Sequence, residues 1–279
     1  MIRINDLTFQ YREGDEPAVR GVTLHIPSGA FCGITGAAGC GKSTLTYAIN
    51  GIVPHCYPGD YYGSVEVDGM DTCETALTEI SRVVGSVCQD IDSQMVNTIV
   101  EDEVLYGLEN FGFPREQIEQ RMQRALEDMG IADLRERVIA SLSGGQKQKV
   151  AIASILALQP KVLVLDEPTA ELDPASSLGV YRLLARYAAE HGTTIVVVEQ
   201  KIALLSEFCD LLVVVDGGCV RFADRPREVL AHSEELLSIG VNCPRSTTLM
   251  NRLRAAGIYG GGVCCNVEEA SEGIAEMVA

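Results

Sequence analysis

The stretch that most constrains this chain is Gly36-Ala37-Ala38-Gly39-Cys40-Gly41-Lys42-Ser43-Thr44. An apolar, strand-like run from Ala30 to Thr35 leads into it, and a helix-like run from Leu45 to Asn50 leads out. Strand, glycine-rich loop and helix, in that order, are the context of a phosphate-binding loop. Gly36, Gly39 and Gly41 permit backbone that other residues resist, so main-chain N–H groups can close around a ligand. Those groups and the positive end of the following helix make an anion site. In such a loop Lys42 reaches the β- and γ-phosphates of a nucleotide and the Ser43 hydroxyl takes Mg²⁺. The competing reading is a glycine-rich turn between core elements; the flanks favour the phosphate loop. Cys40 reads either as a small residue standing in for another or as a thiol whose oxidation blocks the loop.

Composition removes several function classes. The 279 residues suit one large α/β domain, alone or with a small companion. With 22 basic and 39 acidic residues, and a net charge of −17, the chain lacks the basic patches that a nucleic-acid partner needs. Trp is absent and aromatics are few, so base-stacking platforms are not expected. None of the ten cysteines forms a C-x-x-C pair, which argues against a zinc site and fits reduced thiols in the cytosol. The N-terminus carries no signal-peptide pattern. No uninterrupted apolar run reaches the ~18–20 residues of a membrane span; Val150 to Leu158 reads as a buried helix.

Ile2–Phe9 and Val22–Ile26 read as strands, with Pro27-Ser28-Gly29 a turn before the strand that feeds the loop. Tyr11 reads equally as a ring for stacking on a base or as a surface tyrosine at a strand end. His55, in a loop over 51–59, reads as solvated or packed. Ser64–Val67 and Arg82–Cys88 are further strands, the second ending at Gln89. From Asp90 to Ser141 the pattern turns helical and acidic, with Arg115–Met129 the clearest helix. Its acidity reads as a solvated face or as a receptor for a basic partner segment. Ser143-Gly144-Gly145-Gln146 opens another helix, either as a second anion site or as an ordinary N-cap. Val162–Leu165 is a continuous apolar run suited to a buried parallel strand. It ends in Asp166-Glu167-Pro168, two carboxylates at the strand end where open α/β sheets bind ligands. There the first is placed to hold Mg²⁺ and the second to polarise a water. Thr193–Val198 is a similar strand ending at Glu199-Gln200, and Leu211–Val215 is the last clear strand. Alternating strands and helices predict a mostly parallel, doubly wound sheet.

Taken in order, Gly36–Thr44, Gln89, Leu142–Gln146, Val162–Pro168 and Asp173 resemble an ABC-type ATPase subunit over about residues 1–220. The resemblance implies a RecA-like, mostly parallel sheet with an antiparallel β subdomain. It also implies a helical subdomain inserted at about 90–141, ATP and Mg²⁺ as cofactors, and ATP hydrolysis as activity. It makes Tyr11 the adenine-stacking ring and Gln89 the Mg²⁺-sensing glutamine. Ser143, Gly144, Gly145 and Gln146 become the signature that closes over the γ-phosphate of an opposing subunit. Asp166 becomes the Mg²⁺-site aspartate, Glu167 the catalytic glutamate and Asp173 the dimer-contact aspartate.

Asn50–His55, Asp68–Thr72 and Val100–Asn110 are similar to the ATPases of energy-coupling factor importers, which take up vitamins or cobalt and nickel. That implies a second ATPase subunit, identical or different, a transmembrane coupling subunit, a separate substrate-binding membrane subunit, and a place on the cytoplasmic membrane face. Residues 221–279 are similar to the C-terminal extension that helps such ATPases pair. One position departs: Gln200 stands where the family has its switch histidine. An amide donates but is never charged, so slower hydrolysis at this chain's own loop is expected, and with it a mixed dimer. The alternatives are the ATPase of a conventional ABC importer and a catalytically weakened regulatory subunit.

Overall fold

The computed structural model describes residues 1–278. Strand β1 (Ile2–Tyr11) turns into β2 (Val19–Ile26) and β3 (Phe31–Thr35), and β3 feeds helix α1 (Lys42–Ile49). The short α2 (Ile52–His55) leads to β4 (Gly59–Val67) and β5 (Met70–Asp71), then α3 (Leu77–Ile80) and β6 (Val84–Val87). Four helices follow: α4 (Ile91–Gln94), α5 (Val100–Asn110), α6 (Arg115–Asp128) and α7 (Gly144–Leu156). The chain re-enters the sheet as β7 (Val162–Asp166), crosses through α8 (Pro174–His191) to β8 (Thr194–Val198), and through α9 (Ile202–Phe208) to β9 (Leu211–Asp216) and β10 (Cys219–Asp224). It ends in α10 (Pro226–Leu230), α11 (Ser233–Ser238), α12 (Arg245–Ala255) and α13 (Val267–Val278).

Two sheets organise the fold. Six strands run β10-β9-β3-β8-β7-β6, all neighbours parallel except β9 and β10. Four strands form an antiparallel sheet, β2-β1-β4-β5. The apolar runs of β7, β8 and β9 are buried on both faces, so their side chains divide by the two-residue period of a strand. Leu163, Leu165, Ile195, Val197, Leu212 and Val214 join the core beneath α5 to α9. Val162, Val164, Val196, Val198, Val213 and Val215 join a second core with α1 and the antiparallel sheet.

Sequence patterning placed the central strands and the edge strands β2 and β6, and missed β10, β5 and the first half of β4. β10 was not expected: none of its side chains is buried, and the hairpin that makes it turns on Gly217 and Gly218, at φ 51° and 81°. The sheet therefore runs on through residue 220 to Asp224. β4 begins at Gly59, not Ser64, because it pairs with β1 through its polar half as well. The 51–59 loop contains the helical turn α2. His55 is packed, its Nε2 3.0 Å from the Thr72 carbonyl oxygen. The tail adds Leu236, Val241, Cys243, Val263 and Cys265 to the main core and forms a small cluster of its own around Met250, Cys264 and Ala270.

Candidate active site

The turn from β3 to α1 leaves no room for side chains at two of its glycines. A Cβ on Gly36 (φ 151°) would stand 2.1 Å from the Val215 carbonyl oxygen, and one on Gly41 (φ 104°) 2.3 Å from that of Ala18. Gly41 is also the N-cap of α1 and offers no side-chain acceptor, so the free N–H groups of the first turn stay available. Lys42 is only 7% exposed. Its ammonium donates to the carbonyls of Gly36 (3.0 Å) and Ala37 (2.7 Å), and no carboxylate pairs with it among the described residues. A buried cation facing neutral partners is costly unless an anion arrives, so loop, helix start and Lys42 together fit a polyphosphate. The Cys40 thiol points into the protein beside Lys42, and burial pushes it above the ordinary thiol range.

Three adjacent parallel strands, β6, β7 and β8, deliver Gln89, Asp166-Glu167 and Gln200 to one edge of the sheet. Glu167 has φ 47°, and its backbone N–H donates to the Val198 carbonyl (2.9 Å). Its carboxylate is gripped on both oxygens: Gln89 Nε2 donates to Oε2 (2.9 Å) and Gln200 Nε2 to Oε1 (2.6 Å). Burial raises the Asp166 carboxyl above the usual carboxylate range, opposed by the hydrogen bond from Ser43. Ser43 and Asp166 both offer oxygen, the donor type of a small hard cation. A divalent ion there would offset the burial of Asp166, so the donor set fits Mg²⁺.

Tyr11 closes the other side. Its hydroxyl lies 3.0 Å from that of Thr44, and its ring packs edge-on to Phe9 and Tyr57 at 4.9 and 6.1 Å between centroids. Sequence reasoning missed Tyr57 and Tyr47, which stack on each other at 5.8 Å. Tyr47 lies one turn along α1 from Ser43 and lines a cleft of about 460 Å³ with Ser43, Cys88, Gln89, Asp166 and Glu171. Its helical spacing from Ser43 was the available signal.

The remaining predicted residues gather elsewhere. Ser143 caps α7: its hydroxyl accepts from the Gln146 N–H (3.3 Å), and the Gln146 side chain accepts from the Ser143 N–H (3.0 Å). Asp173 caps α8, accepting from the N–H groups of Ala175 and Ser176 and from the Ser176 hydroxyl. Those bonds hold its carboxyl below the usual range. Gly145 packs toward Leu172 and Ser176, so Ser143–Gln146 and Asp173 form one exposed cluster. No hydrogen bond joins that cluster to the phosphate loop among the described residues.

The acidic segment after Gln89 is less open than its composition suggests. Glu103 is 7% exposed and accepts from the backbone of Val96 and Asn97. Asp92 pairs with Lys147, and Glu101 with Arg135. Asp102 and Glu109 stay exposed, beside Val96 (65% exposed) and Tyr106 (47%).

Comparison with known proteins bears on the family and the fold. A family model described as "ABC transporter" matches residues 19–170. An ABC transporter ATP-binding protein of Pyrococcus horikoshii is 40% identical over 258 residues, 92% of this chain and 91% of that one. One of Streptomyces coelicolor is 41% identical over 234 residues, 84% of this chain but 42% of the relative. Among solved structures, cbiO1 of Clostridium perfringens, described as part of the ABC transporter complex cbiONQ, superposes with a TM-score of 0.77 at 33% identity, covering 89% of this chain and 98% of that one. The ATP-binding cassette MJ0796, solved as a dimer with ADP and Pi, gives 0.71 at 26% identity, covering 81% and 99%.

Proposed function

Because the chain belongs to the ABC transporter family as an ATP-binding cassette ATPase, we propose that it energises a membrane importer of the energy-coupling factor type, for vitamins or for cobalt and nickel ions. The likeness to cbiO1 supports that subfamily, as do the segments Asn50–His55, Asp68–Thr72 and Val100–Asn110. No described helix is long and apolar enough to cross a membrane. In this reading the chain works from the cytoplasmic face against a transmembrane coupling subunit. A separate membrane subunit selects the substrate. Residues 1–220 carry the ATPase machinery, and the 221–279 extension helps two ATPases pair.

The observation that carries the hydrolytic reading is Glu167, held between Gln89 and Gln200 and next in the chain to Asp166. In this reading Tyr11 takes the adenine. The N–H groups from Gly36 to Thr44 and the Lys42 ammonium hold the β- and γ-phosphates. Ser43, Asp166 and Gln89 hold Mg²⁺, which when bound neutralises charge on the phosphate oxygens. Gln89 spends its amide nitrogen on Glu167, which leaves its oxygen for the cation. Glu167 orients the attacking water and takes its proton. Each of its oxygens accepts from one amide and keeps a second lone pair for the water. Ser143–Gln146 and Asp173 lie apart from this chain's loop and serve a second subunit's site. The exposed Asp102 and Glu109, with Val96 and Tyr106, form the docking face for basic segments of the membrane partner.

Gln200 also favours a second reading, a regulatory chain whose own site turns over slowly. One experiment separates the readings: ATPase activity of wild type and Glu167→Gln, purified with whatever membrane proteins accompany the tagged chain. The proposal expects a coupling protein, a second ATPase and a small hydrophobic subunit, and a loss of at least ~100-fold in kcat for Glu167→Gln. Equal rates for the two proteins would reduce the chain to a regulatory role. Recovery without any membrane protein would remove the importer.

A further inference from the structure

The residues on either side of Gln200 have no part in the site described above, yet they carry a buried polar network next to it. Glu199 is 2% exposed. Its backbone N–H donates to the Ile34 carbonyl (3.0 Å), anchoring it to the sheet. One carboxylate oxygen accepts from the backbone N–H groups of Gln200 (2.9 Å) and Lys201 (3.1 Å), and the other from the Thr169 hydroxyl (2.5 Å). A buried carboxylate needs such complete pairing to be tolerated. Lys201 spends all three of its donors: on the Thr169 carbonyl (2.5 Å), the Leu172 carbonyl (3.1 Å) and the Ser177 hydroxyl (3.0 Å). Thr169 and Ser177 are themselves buried. None of these partners is a phosphate-loop group.

We propose that Glu199 and Lys201 are positioning residues that fasten the backbone at Gln200 to the 169–173 loop. The orientation of Gln200, and hence its grip on Glu167, then follows the loop that carries Asp173. The connection is continuous. Leu172 packs toward Gly145, Asp173 caps α8, and the carbonyls of Thr169 and Leu172 are held by Lys201. Glu199 ties Thr169 to the N–H of Gln200, whose amide holds Glu167 Oε1. A second subunit pressing on Asp173 would displace this loop, and the two flanking residues would carry the shift to the carboxylate that activates water. Free loops relax individually; here the switch loop has no hinge of its own, because both neighbours of Gln200 are bonded to the Asp173 loop. The inference rests on the reading of Glu167 as the group that activates water.

The test uses the full-length chain in the complex it purifies with, comparing wild type, Lys201→Met, Lys201→Arg, Glu199→Gln and Glu167→Gln. It measures kcat and KM for ATP, the affinity for a fluorescent ATP analogue, and amide hydrogen exchange over 169–177. Lys201→Met is expected to lower kcat about tenfold, ~1.4 kcal/mol in barrier, with KM and analogue affinity within twofold of wild type. Exchange should rise at 170–173 and stay unchanged at 36–44. Lys201→Arg should recover at least half of the lost rate, and Glu199→Gln should fall between. A kcat within twofold of wild type for Lys201→Met overturns the inference. So does a parallel loss of rate, analogue binding and loop protection at 36–44, which is the mark of general destabilisation. If instead Glu167→Gln matches wild type, the hydrolytic reading itself fails, whatever Lys201 does.

Discussion

Helices α1 and α7 both begin at glycine-rich turns and both were candidate anion sites, yet they are finished in opposite ways. At α1 the cap is Gly41, with no side-chain acceptor, and the adjacent Lys42 is buried against carbonyls alone. At α7 a reciprocal cap between Ser143 and Gln146 satisfies the end from within, and Asp173 does the same for α8. The phosphate loop is therefore a place where folding leaves donors and charge unmatched, to be completed by a ligand. The Ser143 and Asp173 cluster is stable without one, and it stands ready as a preformed surface. A helix N-terminus is the same physical object in all three cases. What differs is whether the chain closes it with its own oxygen.

The largest effect expected from this contrast is at Lys42. Lys42→Met should weaken ATP binding at least ~100-fold in a fluorescence titration. It should change the denaturant stability of the ligand-free chain by less than about 1 kcal/mol, because the lost hydrogen bonds are offset by relief of a buried unpaired charge. A large loss of stability would show that the lysine serves the fold instead. A smaller effect is expected at Gln200, on the same sheet edge. Gln200→His should raise kcat several-fold, the imidazole adding a donor that can carry charge. An unchanged rate would mean that the glutamine is no handicap here. The smallest effects belong to the self-capped pair. Ser143→Ala should destabilise the chain by about 1 kcal/mol while leaving ATP affinity of the single chain within twofold. For Asp173→Ala the difference from wild type should follow pH. The native carboxyl titrates below its ordinary 3.8, so its contribution is complete above that value and fades as pH falls through the lowered one. A gap that persists once the carboxyl is protonated, at the acid end of the titration, would show that the charge is not what matters.

The same contrast marks how far sequence reading reached. Gly36, Gly39, Gly41, Lys42, Asp166 and Glu167 were legible because their positions depend on local order: loop after strand, carboxylates at a strand end, glycines where backbone must bend. The central strands were legible because burial on both faces writes an apolar run. β10 was not, since an edge strand with no buried side chain writes no pattern. Glu103 looked like part of an acidic face, because composition counts charges without saying which are spent on backbone.

From sequence alone came the phosphate loop, the alternation of strands and helices, and the family they belong to, since each depends on residues close together in the chain. Tertiary structure alone decided two things. Gln89, Glu167 and Gln200 meet on one carboxylate. Glu199 and Lys201 reach across about 30 residues to the Asp173 loop. These are hydrogen bonds between strand ends and loops that only the parallel sheet brings together, and nothing in local spacing encodes which strands will be neighbours.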